Sequence, residues 1–314
     1  MDFFAPIYYT SFRCIADKCR HSCCIGWDIP IDGKAFELYN SSTAPAVRML
    51  RERIVDINGE LYIGMNEDGR CPMLTRSGLC SLISELGDAA LCQTCRRHPR
   101  FINVVGNRCE VGLGISCEAA CELVLLSDKP HSLLNIPELS REWCEVAGDE
   151  GDEPLPYTAI EDRDAAILTV ENSSTLAEAL RRLSDKYSVS TDIHTDDEWI
   201  DIFLGLECLD PEWRNTLLQM PCAKASDFPE KELILKNLLK YLIYRHTAEA
   251  EYYDDFRARL GFCMLGAYIV ELLISCCGVS DKYGALEIAR KYSSETEYSE
   301  TNTDELIFEF ECRI

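Results

Sequence analysis

"EKELILKNLLKYLIYRHTAEAEYYDDFRARLGFCMLGAYIVELLIS", residues 230–275, decides the fold class of the chain. Its apolar residues recur every three to four positions with charged residues between them, which is the period of an amphipathic helix. The stretch is long enough for two or more packed helices. Residues 173–187 and 281–311 repeat the pattern, and the first of these begins with serines suited to capping a helix. The sequence therefore predicts a mainly α protein in which residues 166–314 form a helical domain.

The most apolar part of this stretch, "GFCMLGAYIVELLISCC" at residues 261–277, has the character of a possible membrane span. It is shorter than the roughly 20 residues that a bilayer requires, and Glu271 near its middle would be costly in lipid. We therefore predict a buried core helix and no integral membrane span. Cys263, Cys276 and Cys277 are then expected to behave as small apolar core residues.

The charge of the chain limits its partners. Among 314 residues, 54 are acidic and 31 are lysine or arginine, which gives a formal net charge of −23. This charge repels phosphate backbones and anionic lipid heads, so no nucleic-acid partner is expected. Residues 1–12 lack the basic and apolar segments of a secretory signal, and we therefore expect a cytoplasmic protein.

Eighteen cysteines are many for such a chain. In a reducing compartment, dense cysteines bind metals or act in catalysis more often than they form disulfides. Eleven of them lie at or before Cys121, and they define a predicted cysteine-rich module at residues 1–127. The motifs are C14-x4-C19-x3-C23-C24, C71-x8-C80, C92-x2-C95 and C117-x3-C121, with Cys109 between the last two.

These short spacings allow several thiolates to converge on one metal. Soft thiolates bind zinc or iron–sulfur clusters. A single zinc site usually shows two evenly spaced cysteine pairs, whereas these groups are irregular and more numerous than one zinc needs. The sequence therefore favours a [4Fe-4S] cluster, with zinc as the alternative. A redox-active pair at Cys92 and Cys95 also stays open, although no thioredoxin-like strand precedes it.

Two short β-hairpins are expected inside the module, at residues 58–71 and 101–117. Between the module and the helical domain, residues 145–164 hold eight acidic residues and are interrupted by glycine and proline. This composition predicts an acidic linker or loop, which we place at residues 128–165.

One basic island stands out in the acidic chain. Arg96, Arg97 and Arg100 could hold the carboxylate of a substrate or cofactor, because an arginine fork matches that shape. They could equally mark a helix end, because a helix C-terminus attracts positive charge. We assign the three arginines as candidate cofactor-binding residues. His98 is expected to be a hydrogen-bonded scaffold residue, and Trp27 to be a core anchor.

The cysteine motifs resemble those of the bacterial flagellin lysine-N-methylases, whose N-terminal part is a CxxxCC-type zinc- or iron-chelating domain. The resemblance covers most of the chain, with the acidic middle matching least. Tyr298 stands where the family is expected to have histidine. The matching segments are FRCIADKCRHSCCIGWDIPID at 12–32, CPMLTRSGLCSL at 71–82, CRRHPR at 95–100, ISCEAA at 115–120, YLIYRH at 241–246 and ARKYSSETEYSETNTDEL at 289–306.

The resemblance implies a protein-lysine N-methyltransferase that uses S-adenosylmethionine, acts on flagellin or a similar surface protein, and carries a [4Fe-4S] cluster. Four thiolates suffice for one cluster, so the matching cysteines exceed the number required. Cys92, Cys109 and Cys121 look like additions in this sequence. The cysteines that match the family pattern, and are therefore the candidate metal ligands, are Cys14, Cys19, Cys23, Cys24, Cys71, Cys80, Cys95 and Cys117.

Two other functions are compatible with the same residues. The cysteine-rich module could be a non-enzymatic chelator of zinc or iron, or the excess thiols could serve a redox sensor. The sequence assigns no catalytic residue, because none of the familiar phosphate-loop, nucleophile-elbow or zinc-helix motifs is present.

Overall fold

The structure of the protein is a computed structural model in which about 54% of the residues are helical. Helices with small sheets confirm the predicted mainly α class. The predicted acidic stretch at 145–164 lies mostly outside the described residues. Those residues are 1–27, 29–141, 143, 158–219 and 226–314.

The described chain divides into two compact units. The first unit comprises residues 1–12, 101–116 and 120–314. The second comprises residues 13–100 and 117–119. The domain boundaries that we expected at residues 127 and 165 stay predictions, and they do not coincide with the limits of these two units.

Helices make up most of the first unit, and polar caps fix where several of them begin. Thr195 accepts a hydrogen bond from the Glu198 backbone while the Glu198 side chain accepts one from the Thr195 backbone, a reciprocal capping box. The described helices are α5 (Glu118–Leu125), α6 (Ile160–Glu171), α7 (Leu176–Tyr187), α8 (Asp196–Gly205), α9 (Pro211–Leu217), α10 (Lys231–His246), α11 (Tyr253–Cys276), α12 (Lys282–Thr296) and α13 (Glu300–Glu311).

The core of the first unit lies along α10 and α11, the two helices predicted from the most periodic stretch. Helix α11 is long and apolar enough to cross a membrane, but 72% of its most apolar 18-residue stretch is buried inside the protein. Lys231 of α10 pairs with Glu271 of α11 across 3.5 Å. Cys263 and Cys276 are buried, as expected of core residues. The prediction of a buried core helix is confirmed.

Helix α11 packs closely enough to require glycine at residue 261. A Cβ there would lie 2.3 Å from Cδ1 of Phe310 on α13. We expect Gly261→Ala to lower the free energy of unfolding by about 1–3 kcal/mol, because neither the helix backbone nor the buried ring can move freely. Urea unfolding measures this. Gly205→Ala at the end of α8 is the control, since nothing lies within 4 Å of its added Cβ, and an equal loss in both variants would contradict the argument.

A four-stranded sheet completes the first unit. Strand β1 (Asp2–Pro6) lies between β6 (Arg108–Leu113), to which it is parallel, and β7 (Leu133–Asn135), to which it is antiparallel. Strand β5 (Arg100–Val105) borders β6 on its other side. The hairpin expected at 101–117 is therefore present as β5 and β6, but its strands belong mainly to the first unit and not to the cysteine-rich region.

The second unit is small and has its own core. Strands β3 and β4 form the other expected hairpin, which starts before the predicted 58–71. It turns at Asn58 and Gly59, both with positive φ, as a tight two-residue turn requires. The elements are β2 (Ile29–Pro30), α1 (Gly33–Ser41), α2 (Pro45–Arg51), β3 (Ile54–Ile57), β4 (Glu60–Ile63), α3 (Ser81–Leu86) and α4 (Gln93–Arg97), with sheet order β2-β4-β3.

Candidate functional site

Five cysteines of the second unit pack against one shared apolar core. Two of them are buried, Cys71 at 5% and Cys92 at 1% exposure. The other three are half-buried against the same core residues. We refer to these five as the inner cysteine group: Cys24, Cys71, Cys80, Cys92 and Cys95.

Backbone pairing holds the first members of the inner group side by side. Ile25 and Arg70 form an antiparallel bridge, so Cys24 and Cys71 lie opposite each other. The Cys71 N–H donates to the Cys24 carbonyl at 2.8 Å. Leu74 then bridges to Cys80, which brings that cysteine back towards Cys71. Three residues that are far apart in sequence are thereby placed on neighbouring backbone segments.

Three of the five cysteines lie beside backbone N–H groups of a helix start or a turn. Cys80 is the N-cap residue of α3 and Cys92 is that of α4, and neither side chain makes a capping hydrogen bond. Burial raises the pKa of Cys71 to about 11, while N–H groups of the following turn favour its thiolate. Burial also raises the pKa of Cys80, and the N–H groups at the start of α3 oppose this rise. The hydrogen bond with Cys95 lowers the pKa of Cys92, and the N–H groups at the start of α4 lower it further. Donors that solvate a thiolate are what a buried metal-binding sulfur needs.

Two pairs of adjacent thiols interact directly. A hydrogen bond with Cys23 lowers the pKa of Cys24 to about 6. A hydrogen bond with Cys95 lowers the pKa of Cys92. Each pair therefore contains one thiol that ionises readily, which is a property of metal ligands and of redox-active cysteines alike.

The remaining cysteines of the second unit are linked through Cys117, which acts on both Cys23 and Cys19. The charges of Cys14 and Cys117 add to the causes that raise the Cys23 pKa, after its hydrogen bond with Cys24 and burial. Cys117 also acts on Cys19, whose pKa burial raises to about 11. These four residues form the outer cysteine group: Cys14, Cys19, Cys23 and Cys117.

A glutamate that the sequence analysis missed belongs to the outer group. Glu118 Oε2 accepts from the Arg20 N–H at 2.9 Å and from the Cys19 thiol at 3.6 Å. Glu118 Oε1 accepts from Arg20 Nε at 2.9 Å. Glu118 thus ties the segment after Cys117 to the segment around Cys19, and no short-range motif in the sequence reveals this pairing.

The eight candidate metal ligands therefore divide evenly between the inner and the outer cysteine group. Cys24, Cys71, Cys80 and Cys95 belong to the inner group, and the other four make up the outer group. Cys92, which the resemblance set aside as an addition, lies in the inner group. Within the described residues, no three His, Cys, Asp or Glu side chains are gathered closely enough to hold a metal ion. The inner group matches a cluster in donor type and in its position against the core, but its side chains do not converge on one point in this structure.

The three arginines of the basic island lie at or just beyond the end of α4. Arg96 and Arg97 form its last turn, as the helix-end interpretation expects. The Arg96 guanidinium donates to the carbonyls of Ala89 and Leu91 at 3.2 and 2.8 Å. Arg100 donates to the Arg96 carbonyl at 3.3 Å. The cofactor-binding role of these arginines stays a prediction.

The expectation for Trp27 was wrong. Its side chain is 37% exposed and is held at the surface by a 2.6 Å hydrogen bond from Nε1 to the Cys23 carbonyl. The indole lies 6.0 Å from the ring of His98, whose pKa burial lowers to about 4. Trp27 therefore covers the cysteine-rich loop and does not anchor the core.

A second candidate site lies in the first unit, where two of the matching motifs meet. Tyr241, Arg245 and His246 on α10 surround the fully buried carboxylate of Glu297, which follows α12. Glu297 Oε2 accepts from Tyr241 Oη at 2.9 Å and lies 2.8 Å from His246 Nε2 and 3.2 Å from Arg245 Nη1. We refer to these four residues as the carboxylate network.

Aromatic rings extend this network towards the surface. The guanidinium of Arg245 lies 5.0 Å from the ring centre of Phe101 and 5.2 Å from that of Tyr298. Burial alone would raise the pKa of Glu297, but Arg245 and His246 hold it below its usual range. The network therefore keeps a carboxylate ionised inside the protein, with the half-exposed Tyr298 at its edge.

Comparison with known proteins gives weak matches that agree with each other. The chain is 29% identical to the lysine-N-methylase of Salmonella choleraesuis (strain SC-B67) over 127 residues, which is 38% of this chain and 31% of that protein. The lysine-N-methylase of Salmonella typhimurium (strain LT2) is 28% identical over the same shares. The flagellar biosynthetic protein FliU of Salmonella muenchen is 28% identical over 127 residues, 75% of its length.

These matches support the resemblance to lysine-N-methylases, and they leave the assignment of the cysteines untested. The chain spans about a third of the length of the lysine-N-methylases it matches. No protein-family model matches the chain. No solved structure matches it significantly.

Proposed function

We propose that the protein is an S-adenosylmethionine-dependent lysine N-methyltransferase that modifies flagellin or a similar surface protein. The similarity to two lysine-N-methylases carries this proposal. The name of the matched flagellar protein supports a flagellar substrate. The acidic chain is also suited to attract a cationic methyl donor and a lysine-bearing partner.

The proposed protein also carries a [4Fe-4S] cluster on the inner cysteine group, with Cys24, Cys71, Cys80 and Cys95 as ligands. These four combine the family pattern with a shared, largely buried position. The cluster would join three separate chain segments of the second unit and so stabilise a unit with a small core. The role of the chain here is to supply four thiolates and the N–H groups that favour them.

In the proposed reaction, the neutral Nζ of a substrate lysine bonds to the methyl carbon as the carbon–sulfur bond of the sulfonium breaks. The products are a methylated lysine, S-adenosylhomocysteine and the proton lost from nitrogen. The protein must therefore bind lysine without its extra proton, since an ammonium group has no lone pair to attack with. Desolvation of the lysine favours that neutral form, and alignment with the methyl group lowers the barrier.

Incubation of the purified protein with methyl-labelled S-adenosylmethionine and flagellin tests the activity. We expect label on flagellin lysines and none on flagellin whose lysines were acetylated beforehand. Absence of label on lysine, from protein whose metal content is intact, would contradict the proposed activity.

A thiol-based redox sensor is the second candidate function, and the Cys92–Cys95 pair favours it. The two thiols share a hydrogen bond at the start of α4, where a helix N-terminus stabilises a thiolate. A sensor would lose free thiols on exposure to air and change its fold, whereas a methyltransferase with a protected cluster would keep both. Thiol counting before and after air exposure distinguishes these functions.

A further inference from the structure

A polar cleft in the first unit has no role in the sites described so far. Its floor is one face of α10, formed by Asn237, Lys240, Tyr241 and Tyr244, which recur at helical spacing. The end of β1 and the loop that carries His131 form its walls. Its empty volume, which includes the open solvent at its mouth, is about 390 Å³, and the enclosed part is small enough to suit only one end of a ligand. We refer to it as the Tyr244 cleft.

Two buried polar atoms of this cleft have no hydrogen-bond partner among the described residues. They are Nε2 of His131 and Oη of Tyr244. Nearly all buried polar groups in proteins are paired, so two orphans in one small cleft indicate a missing partner. Both rings are fixed in place, because their centroids lie 5.2 Å apart and Tyr244 is only 1% exposed. The backbone N–H of His131, moreover, donates to Glu171 Oε1 at 2.5 Å.

Charge in the cleft favours an anionic ligand group. The Lys240 ammonium forms an ion pair with Glu171, whose Oε1 lies 3.4 Å away. Arg163 stacks 5.2 Å from the Tyr244 ring but is already paired with Glu110 and Asp164. An ammonium and a phenol O–H remain as donors directed at one small volume, which is the set that a carboxylate accepts from.

An acceptor lies beside these donors. Both N–H bonds of the Asn237 amide are used, because Nδ2 donates to the carbonyls of Leu125 and Ser127 at 2.9 and 2.8 Å. The orientation of the side chain is therefore fixed, and Oδ1 makes no hydrogen bond to the described residues. An amide oxygen next to an ammonium and a phenol is complementary to a group that carries both a carboxylate and an amine.

We propose that the Tyr244 cleft binds the amino-acid end of S-adenosylmethionine. The ligand carboxylate accepts hydrogen bonds from Lys240 and Tyr244, and the ligand amine donates to Asn237. His131 borders the same carboxylate, and its Nε2 is the second of the two unpaired atoms. The assignment rests on the proposed function, since it concerns the methyl donor of that reaction.

Binding of S-adenosylhomocysteine to the full chain, measured by calorimetry, tests the cleft without any methyl transfer. We expect Tyr244→Phe to weaken binding about tenfold or more, as the loss of a hydrogen bond to a charged group does. Tyr244→Phe should leave thermal stability unchanged, because Oη has no partner to lose in the part of the chain that the structure describes. Lys240→Met should weaken binding at least as much.

Tyr268→Phe is the matched control. Its hydroxyl donates to Asp196 at 2.6 Å, on another part of the unit, and its removal should leave the Kd unchanged. If all three variants bind S-adenosylhomocysteine as the wild type does, the cleft is not the site, and the proposed function stands without it. If the wild type itself does not bind S-adenosylhomocysteine, both the cleft assignment and the proposed function are wrong.

Discussion

Cys71→Ala is expected to abolish iron binding by the protein. Anaerobically purified wild type should contain about four irons with matching sulfide per chain, and the variant fewer than about one. Cys71 is central to the inner cysteine group, because it lies opposite Cys24 and is linked through Leu74 to Cys80. Removing its sulfur takes away one of the four proposed ligands, and Cys71 is the most deeply buried of the four. Metal analysis with a visible absorption spectrum measures the effect.

Cys121→Ala is the matched control for this loss. Cys121 is as buried as Cys71, at 2% against 5% exposure, but it lies on α5 within the first unit. Its iron content should equal that of the wild type. Iron that persists in Cys71→Ala and disappears in Cys23→Ala would place the cluster on the outer cysteine group. About one zinc and no colour would make the inner group a structural zinc site.

Glu297→Gln should lower the free energy of unfolding by about 3–5 kcal/mol, the range found when one partner of a buried ion pair is removed. The Glu297 side chain is fully buried, and its carboxylate is the common partner of Arg245, His246 and Tyr241. An amide cannot neutralise the guanidinium that remains beside it. Urea unfolding at neutral pH measures the loss.

Asp185→Asn provides the comparison, because Asp185 pairs with Arg181 at 2.8 Å but both side chains are about two-thirds exposed. This variant should change stability by less than about 1 kcal/mol. Equal losses in the two variants would show that burial of Glu297 is not what makes the carboxylate network matter.

The carboxylate network should contribute less to the stability of the folded protein as pH falls. Because its neighbours lower the pKa of Glu297 in the folded protein, its carboxylate contributes stability above the unfolded value of about 4.3. That contribution is lost as pH falls through the lower folded pKa. His246, whose pKa burial lowers, acts in the same direction below about pH 6.5. As pH is lowered, the free energy of unfolding should therefore fall less steeply in Glu297→Gln than in the wild type.

The helical half of the fold followed from sequence because its signal is periodic. Helices α10 and α11 occupy most of the stretch 230–276, and the buried position of α11 could be predicted from the short apolar run within it and from Glu271. Of the sheet in the first unit, the β5–β6 hairpin could be predicted, but its pairing with β1 and β7 could not. Strand β1 pairs with β6 and β7, and no local pattern encodes a partner so far along the chain.

The sequence identified the cysteines of the candidate metal site but not how they are arranged in space. Spacing identified the cysteines, but it could not separate an inner from an outer group, because Cys23 and Cys24 are adjacent in sequence and fall in different groups. The exposure of Trp27 was missed, since an indole in a cysteine-rich loop has the same sequence signature whether it is buried or not. The carboxylate network was hidden because its charges come from two helices that only folding brings together.

The pairing of β1 also has a consequence for synthesis of the chain. Because Asp2 pairs with Arg108, the first strand leaves the ribosome long before either neighbour exists. The second unit, nearly complete at residue 100, can fold in that interval. Meanwhile both edges of β1, a strand that contains Phe3 and Phe4, are open to pairing with other nascent chains. Strand β1 is thus exposed to aggregation until the residues of β6 and β7 have been synthesised.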